Sequence, residues 1–172
     1  VERHVPRAAA WPVEGRAHLV VGARQVGKSS FLWQRFQAWG QVPLYVNAEE
    51  PVARLWCRSP TALAHDLRGL VGPDVPIFLE EAQHLDEAGL LIKGLLDLGL
   101  PNPLFVTGSS SYHLRARTRE SLAGRATRVT LHPFSLDEVC ADLAGQPPLL
   151  RADQARDRAL RQAVWGGYPA AW

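Results

Sequence analysis

One short stretch of the chain has the residue types and the spacing that bind phosphate groups. Residues 22–29 read GARQVGKS, which is a complete G-x-x-x-x-G-K-[ST] pattern. In such a loop, glycines let the backbone curl so that successive N–H groups point at phosphate oxygens. Lys28, one of only two lysines in the chain, would reach the terminal phosphates, and Ser29 would offer its hydroxyl to Mg²⁺. The pattern predicts a nucleoside-triphosphate site formed by Gly22, Ala23, Arg24, Gln25, Val26, Gly27, Lys28, Ser29 and Ser30.

Two neighbouring acids further along the chain could supply the remaining chemistry. The segment 75–81 reads VPIFLEE, so Glu80 and Glu81 stand where an apolar strand ends. A triphosphate site needs an acid near its Mg²⁺ and a second group that orients water for hydrolysis. We therefore interpret the pair as one acid for each role. The alternative is that both acids simply begin the next helix, where carboxylates favour the helix dipole.

Strands and helices alternate along the chain in the manner of an α/β domain. Short apolar runs predict five strands, at 17–22, 43–48, 77–81, 103–111 and 126–134. Apolar residues at helical spacing, with capping signals, predict helices at 28–39, 61–71, 86–99, 135–145 and 152–165. The phosphate-binding pattern falls between the first strand and the first helix, which is the context it requires. We expect a mostly parallel sheet with helices on both faces.

Composition and charge set the broad class of the protein. The 172 residues include 19 basic and 17 acidic side chains, a balance too even to indicate nucleic-acid binding by itself. Cys57 and Cys140 have no metal-ligand spacing and do not suggest a disulfide framework. The lack of a secretory segment and of a long apolar run favours a cytoplasmic protein without membrane association. No repeat or linker divides the chain, so we expect one domain over 1–172.

Six blocks, in order along the chain, resemble a family of prokaryotic AAA-type ATPases related to archaeal and signal-transducing P-loop ATPases. The blocks are GARQVGKSSFL, IFLEEAQHL, FVTGSSS, SLAGR, LHPFSLDEV and GGYP. The resemblance implies a three-layer P-loop NTPase fold, with a five-stranded, mostly parallel sheet of order 5-1-4-3-2, and it implies ATP and Mg²⁺ as ligands. This order puts the strand before Glu49 and Glu50, a second acid pair, at the sheet edge and away from the phosphates. We therefore expect the pair at 80 and 81 to be the functional one.

The resemblance also implies roles for single residues. Glu80 would be the acid on the Mg²⁺ side, and Glu81 would be the catalytic glutamate. Relatives usually carry aspartate on the Mg²⁺ side, so Glu80, which is one methylene longer, departs from the pattern. Ser109 is the first choice for the polar sensor at the end of the fourth strand, and Thr107 is the second. Arg125 in SLAGR is a candidate arginine that stabilises charge on the phosphates.

Three further features bear on partners, on the site and on completeness. Five arginines crowd one stretch: Arg115, Arg117, Arg119, Arg125 and Arg128. They could contact nucleic acid or be donated to a neighbouring subunit, although we favour a solvated face. His84 follows the acids closely enough to line the site, but a surface or capping role is our expectation. No helical lid of the kind common in the wider class follows GGYP, so we expect the core alone.

Together these features predict a Mg²⁺-dependent ATPase. Lys28, Ser29 and Glu80 would hold Mg·ATP, and Glu81 would orient the attacking water. The alternative is a switch that binds ATP and ADP, or a module that binds a protein or nucleic-acid partner, with negligible hydrolysis of its own. Self-association and a separate protein partner are both compatible with the sequence.

Overall fold

The computed structural model describes residues 17–109, 122 and 124–171 of the chain. Within these residues, the strands are β1 (Ala17–Gly22), β2 (Leu44–Asn47), β3 (Ile77–Glu80), β4 (Leu104–Ser109) and β5 (Ala126–Leu131). They form one sheet of order β2-β3-β4-β1-β5, and all neighbouring strands are parallel. The same order read from the other edge is 5-1-4-3-2. The predicted fold class and strand order are therefore confirmed.

A helix is present in each of the five predicted regions, with different ends in several cases, and one further helix is present that was not predicted. They are α1 (Lys28–Trp39), α2 (Pro51–Trp56), α3 (Pro60–Leu70), α4 (Ala88–Asp97), α5 (Leu136–Val139) and α6 (Pro148–Trp165). The helix α2 was not predicted, because this short helix buries none of its residues. The predicted helix 135–145 is instead α5 followed by a 3₁₀ turn, Ala141–Leu143. Its predicted capping box, formed by Ser135 and Glu138, is present.

Two apolar clusters on opposite faces of the sheet produce three layers. Alternate residues of a strand point to opposite faces. Leu19 and Val21 of β1 accordingly join a cluster with α3 and α4. Val20 between them joins a second cluster, in which the α1 residues Phe31 and Phe36 pack against the central strands. Burial on both faces explains why the strands read as continuous apolar runs rather than alternating ones.

The strand order decides where the two predicted halves of the site meet. β4 lies between β1 and β3, and the three strands are parallel, so their carboxyl ends share one edge of the sheet. Ligands of open α/β sheets bind outside the carboxyl ends of the strands. The segment 22–28 follows β1 at this edge, and Glu80 ends β3 at the same edge.

The last part of the described chain packs against the turn that follows β5. Arg158 of α6 donates to both carboxylate oxygens of Asp142 and to the carbonyl oxygen of Val139. Gly166 ends α6 with φ 78°. A Cβ on Gly167 would lie 2.4 Å from the carbonyl oxygen of Phe134, so the chain passes there only as glycine. No helix in the described ranges is both long and apolar enough to cross a bilayer.

Candidate functional site

The two glycines of the phosphate-binding pattern are required for different reasons. A Cβ on Gly22 would lie 2.4 Å from the backbone carbonyl oxygen of Leu131, at the end of β5. Gly22 is therefore fixed by close packing against the neighbouring strand. Gly27, the N-cap of α1, has φ 87° and ψ 28°, in the left-handed region that favours glycine. Gln25 between them also has a positive φ, 61°. The loop thus reverses direction within a few residues and leads directly into a helix.

The start of α1 has the properties of an anion-binding helix terminus. Its N-cap residue, Gly27, has no side chain that could cap the helix. The first helical turn closes when Phe31 N–H donates to the carbonyl oxygen of Gly27 at 2.9 Å. The N–H groups before it have no partner within a helix and carry the positive end of the helix dipole. A phosphate group can satisfy both the N–H groups and the dipole.

Among the other loop residues, one is buried and three are exposed. Val26 is fully buried and belongs to the same apolar cluster as Phe31 of α1, so it fixes the loop to the core. Arg24, Gln25 and Ser30 are exposed. Their side chains therefore face solvent.

Lys28 is buried beside the loop and faces both glutamates. Its side chain is 5% exposed, and Nζ donates to the carbonyl oxygens of Ala23 at 3.0 Å and Gly22 at 3.4 Å. Burial lowers the pKa of Lys28, because it disfavours the charged ammonium, while Glu81 and Glu80 act in the opposite direction. The ammonium therefore lies close enough to Glu80 and Glu81 to interact with their charges.

Glu80 is held by two hydroxyl groups from two different elements. Ser29 Oγ, on the first turn of α1, donates to Glu80 Oε1, and the Tyr45 hydroxyl, on β2, donates to Glu80 Oε2. The contact between Ser29 and Glu80 joins the phosphate-binding loop to the end of β3. The sequence analysis did not select Tyr45. The signal lies in the sheet register, because β2 pairs with β3 so that Asn47 is opposite Glu80.

Glu81 lies at a sharp change of backbone direction directly after β3. It has φ 54° and ψ 44°, and a 3₁₀ turn follows at Ala82–His84. Its N–H donates to Thr107 Oγ1 at 3.1 Å, and its Oε2 accepts a hydrogen bond from Gln83 Nε2. Neither Glu80 nor Glu81 lies in a helix. The simple alternative, in which both acids begin the next helix, is therefore wrong for Glu80. Glu81 is the N-cap residue of the 3₁₀ turn, but its side chain makes no cap hydrogen bond.

The polar residues at the end of β4 both lie at the site, and each holds a different part of it. Thr107 is fully buried, and its hydroxyl fixes the backbone of Glu81. Ser109 N–H donates to Gln83 Oε1 at 2.9 Å, while the amide of Gln83 holds the carboxylate of Glu81. Gln83 therefore links the end of β4 to Glu81. The sequence analysis missed Gln83, and the role of Ser109 as a sensor stays a prediction.

Glu49 lies closer to the site than the sequence analysis placed it. Its strand, β2, is at the sheet edge as expected. However, Glu49 Oε1 is 3.4 Å from His84 Nε2, and ligand atoms of Glu49, Glu81 and His84 all lie within 4.8 Å of one another. The expectation that this acid lies away from the site is wrong, because Ala48 N–H donates to the Glu80 carbonyl oxygen and keeps the chain beside β3. His84 is partly exposed, as expected of a surface residue, and it also borders the site beside Glu49 and Glu81.

Arg125 lies at the amino-terminal ends of the strands, whereas the site lies at their carboxyl ends. Ala17 N–H donates to its carbonyl oxygen, and Ala17 pairs with Ala126, so Arg125 stands beside the amino-terminal end of β1. The loop is at the other end of β1, about 16 Å away at the usual rise per residue. Its guanidinium pairs instead with Asp97 at 3.0 Å. A role for Arg125 at the site of its own chain is therefore wrong. Arg115, Arg117 and Arg119 lie outside the described residues.

Comparisons with known proteins identify the family of the chain. The chain of a solved structure, the Orc1 protein of Aeropyrum pernix in complex with DNA, is similar to this chain at 17% sequence identity and a TM-score of 0.49. The similarity covers 81% of this chain and 44% of that chain, so this protein spans less than half the length of that one. A search of curated proteins gave no match. A family model described as an AAA domain matches residues 14–140, which is more than half of the 172 residues. The chain belongs to the AAA domain family.

Proposed function

We propose that this AAA domain binds ATP together with Mg²⁺ and hydrolyses the ATP to ADP and phosphate. The observation that carries the proposal is the contact between Ser29 Oγ and Glu80, which joins the phosphate-binding loop to the acidic end of β3. Family membership supports a nucleotide as the ligand. The choice of ATP over GTP rests on the family and on the absence of an N-K-x-D base-reading motif from the sequence.

Phosphate binding would use the loop backbone, the start of α1 and Lys28. The left-handed backbone at Gln25 and Gly27 shapes the loop, and the uncapped helix terminus offers N–H groups to phosphate oxygens. Lys28 Nζ donates to two carbonyl oxygens of the same loop. A phosphate oxygen is a stronger acceptor for an ammonium group than a carbonyl, because it carries a negative charge. We therefore expect Lys28 to exchange these bonds for the terminal phosphates.

The residues that meet between the loop and β3 fit Mg²⁺. Ser29 supplies a hydroxyl oxygen and Glu80 a carboxylate, and both are the hard oxygen donors that this ion prefers. When bound, Mg²⁺ would neutralise charge on the phosphates. Ser29 and Glu80 would hold it, directly or through water, at the position where their side chains now meet.

Hydrolysis would depend on the placement of Glu81. Its carboxylate would accept a proton from the attacking water as the new bond to the terminal phosphorus forms, and the bond from that phosphorus to the ADP oxygen breaks. Thr107 fixes the backbone of Glu81, and Gln83 fixes its carboxylate. Such prior placement is what the reaction needs, because catalysis of phosphoryl transfer is largely positioning and electrostatic stabilisation.

Replacing each of the two lysines in turn tests the nucleotide site directly. We expect calorimetry to show Mg·ATP binding by the wild-type chain and a loss of at least roughly tenfold in affinity for Lys28→Ala. Lys93→Ala is the matched control, since Lys93 lies on α4, away from the loop, and should bind ATP as the wild type does. Equal binding by Lys28→Ala and the wild type, or no binding by the wild type, would refute the proposal. Binding of ATP and ADP without phosphate release would instead identify the alternative function, a nucleotide-dependent switch.

A further inference from the structure

We propose that Tyr45 is a positioning residue for Glu80, the acid on the Mg²⁺ side of the site, where relatives usually carry an aspartate. The inference rests on the proposed function, because it concerns how Glu80 is prepared for the ion. The extra methylene of glutamate adds a rotatable bond and moves the carboxylate further from the strand. A carboxylate on this longer arm needs lateral support if it is to be placed as accurately as that of an aspartate.

The geometry of two neighbouring strands supplies this support. β2 and β3 are parallel and pair so that Tyr45 is opposite Phe78 and Asn47 is opposite Glu80. Tyr45 and Asn47 are two residues apart, so Tyr45 is on the same face of the sheet as Glu80. The Tyr45 hydroxyl donates to Glu80 Oε2, while Ser29 Oγ donates to Glu80 Oε1. Each carboxylate oxygen is therefore held by a hydroxyl from a different element.

The ring of Tyr45 is itself held on two sides. Its centroid lies 5.7 Å from that of Trp33 on α1 and 5.4 Å from that of Phe78 on β3. These contacts are within the range of favourable aromatic pairs. The Tyr45 hydroxyl is the donor in its hydrogen bond to Glu80. The ring contacts fix the direction in which this donor points.

The contact matches the length of glutamate and would not form with aspartate. One carbon–carbon bond is about 1.5 Å long, and an aspartate carboxylate at position 80 would be withdrawn toward the strand by about that amount. A hydrogen bond of ordinary length does not survive such a displacement. The Tyr45 hydroxyl is therefore specifically useful to Glu80, and this dependence makes the inference testable by a pair of substitutions.

The test compares Tyr45→Phe in two backgrounds, wild type and Glu80→Asp. The readout is binding of the slowly hydrolysed analogue β,γ-imido-ATP, measured by calorimetry over a series of Mg²⁺ concentrations and in EDTA. In the wild-type background we expect Tyr45→Phe to raise the Mg²⁺ concentration for half-maximal binding by roughly tenfold, with binding in EDTA unchanged. In the Glu80→Asp background we expect a change of less than about twofold, because the hydroxyl has no partner to lose. Phenylalanine keeps the ring contacts, and Tyr168→Phe controls for loss of a hydroxyl elsewhere.

The outcomes separate this inference from the proposed function. A shift in the wild-type background that disappears with Glu80→Asp supports the inference. An equal shift of the half-maximal Mg²⁺ concentration in both backgrounds, or no shift in either, overturns the inference. In that case, Mg²⁺-dependent binding by the wild type still upholds the proposed function. If the wild-type chain binds the analogue equally well with Mg²⁺ and in EDTA, Glu80 has no metal role, and both the inference and the Mg²⁺ part of the proposed function are refuted.

Discussion

Replacing Gly22 by alanine should show how tightly the phosphate-binding loop is packed against the sheet. The added Cβ would lie 2.4 Å from the carbonyl oxygen of Leu131 and 2.9 Å from Cγ1 of Val26. The first of these atoms is backbone at the end of β5, so it cannot rotate away as a side chain could. Either β5 or the loop has to move for the methyl group to fit.

The expected loss of stability follows from the usual energy of overpacking. Forcing an extra carbon into a well-packed interior destabilises the folded state by about 1–3 kcal/mol. For a chain of this size, each kcal/mol lowers the melting temperature by about 2–4 °C. Gly22→Ala should therefore melt about 2–12 °C below the wild type, and the same variant should bind Mg·ATP more weakly because the loop is displaced.

Gly69→Ala provides the matched control for this prediction. Gly69 lies in α3, and a Cβ there would have no atom within 4 Å. Alanine favours helix over glycine by about 0.5–1 kcal/mol, so this variant should melt at or above the wild-type temperature. Thermal unfolding followed by circular dichroism measures both variants. If Gly22→Ala were as stable as Gly69→Ala, the packing account of the loop would be refuted.

Three further predictions follow from the contacts of Gln83 and from the burial of His18 and Cys57. Gln83→Leu should lower kcat for ATP hydrolysis by roughly 10- to 100-fold with KM little changed, because Glu81 loses the hydrogen bond that positions its carboxylate. A kcat equal to that of the wild type in steady-state assays would refute this role of Gln83. Burial lowers the pKa of His18 from 6.5, so the unfolded chain binds more protons, and the free energy of unfolding should fall as the pH drops below about 6.5. In urea unfolding, His18→Gln should lose less stability over this pH range than the wild type, and an identical loss would count against this cause. Burial raises the pKa of the Cys57 thiol to about 11, so at pH 8 a thiol reagent should modify Cys140 rapidly and Cys57 slowly, only as the chain unfolds. Cys57→Ser should remove this slow phase of modification, and fast reaction of both thiols in the native chain would contradict the burial.

The features that the sequence predicted correctly are local or repeated along the chain. The loop at 22–29 is one continuous segment, so its position between β1 and α1 could be predicted from the local pattern. The strands appeared as separate apolar runs, and the resemblance supplied their order. The position of Glu80 then followed from the order, because it ends β3, which is separated from β1 only by β4.

The features that the sequence did not predict are contacts between distant segments. Tyr45 and Glu80 meet because β2 pairs with β3 in a particular register, which no local pattern reveals. Gln83 reaches Ser109 because the backbone reverses at Glu81, where a non-glycine residue adopts a positive φ. Such conformations are uncommon for glutamate and are found at sites where the surroundings determine them.

The mistaken role for Arg125 could have been avoided from the sequence. The predicted fifth strand begins at residue 126, directly after this arginine, and the predicted first strand begins at residue 17. In a parallel sheet, the residue before a strand lies at the amino-terminal edge, opposite the loop that follows β1. The direction of the strand, rather than the motif around Arg125, determined where its side chain could reach.

The most direct test of the proposed function is phosphate release from Mg·ATP by the wild-type chain and by Glu81→Gln, with ATP binding measured in parallel. Glu87→Gln, at the exposed start of α4, is the control for loss of a carboxylate in the same region. The proposed mechanism predicts that Glu81→Gln binds ATP as the wild type does but releases phosphate at least about 100-fold more slowly, while Glu87→Gln keeps wild-type turnover. Turnover by Glu81→Gln at the wild-type rate would contradict the central claim that this glutamate orients the attacking water.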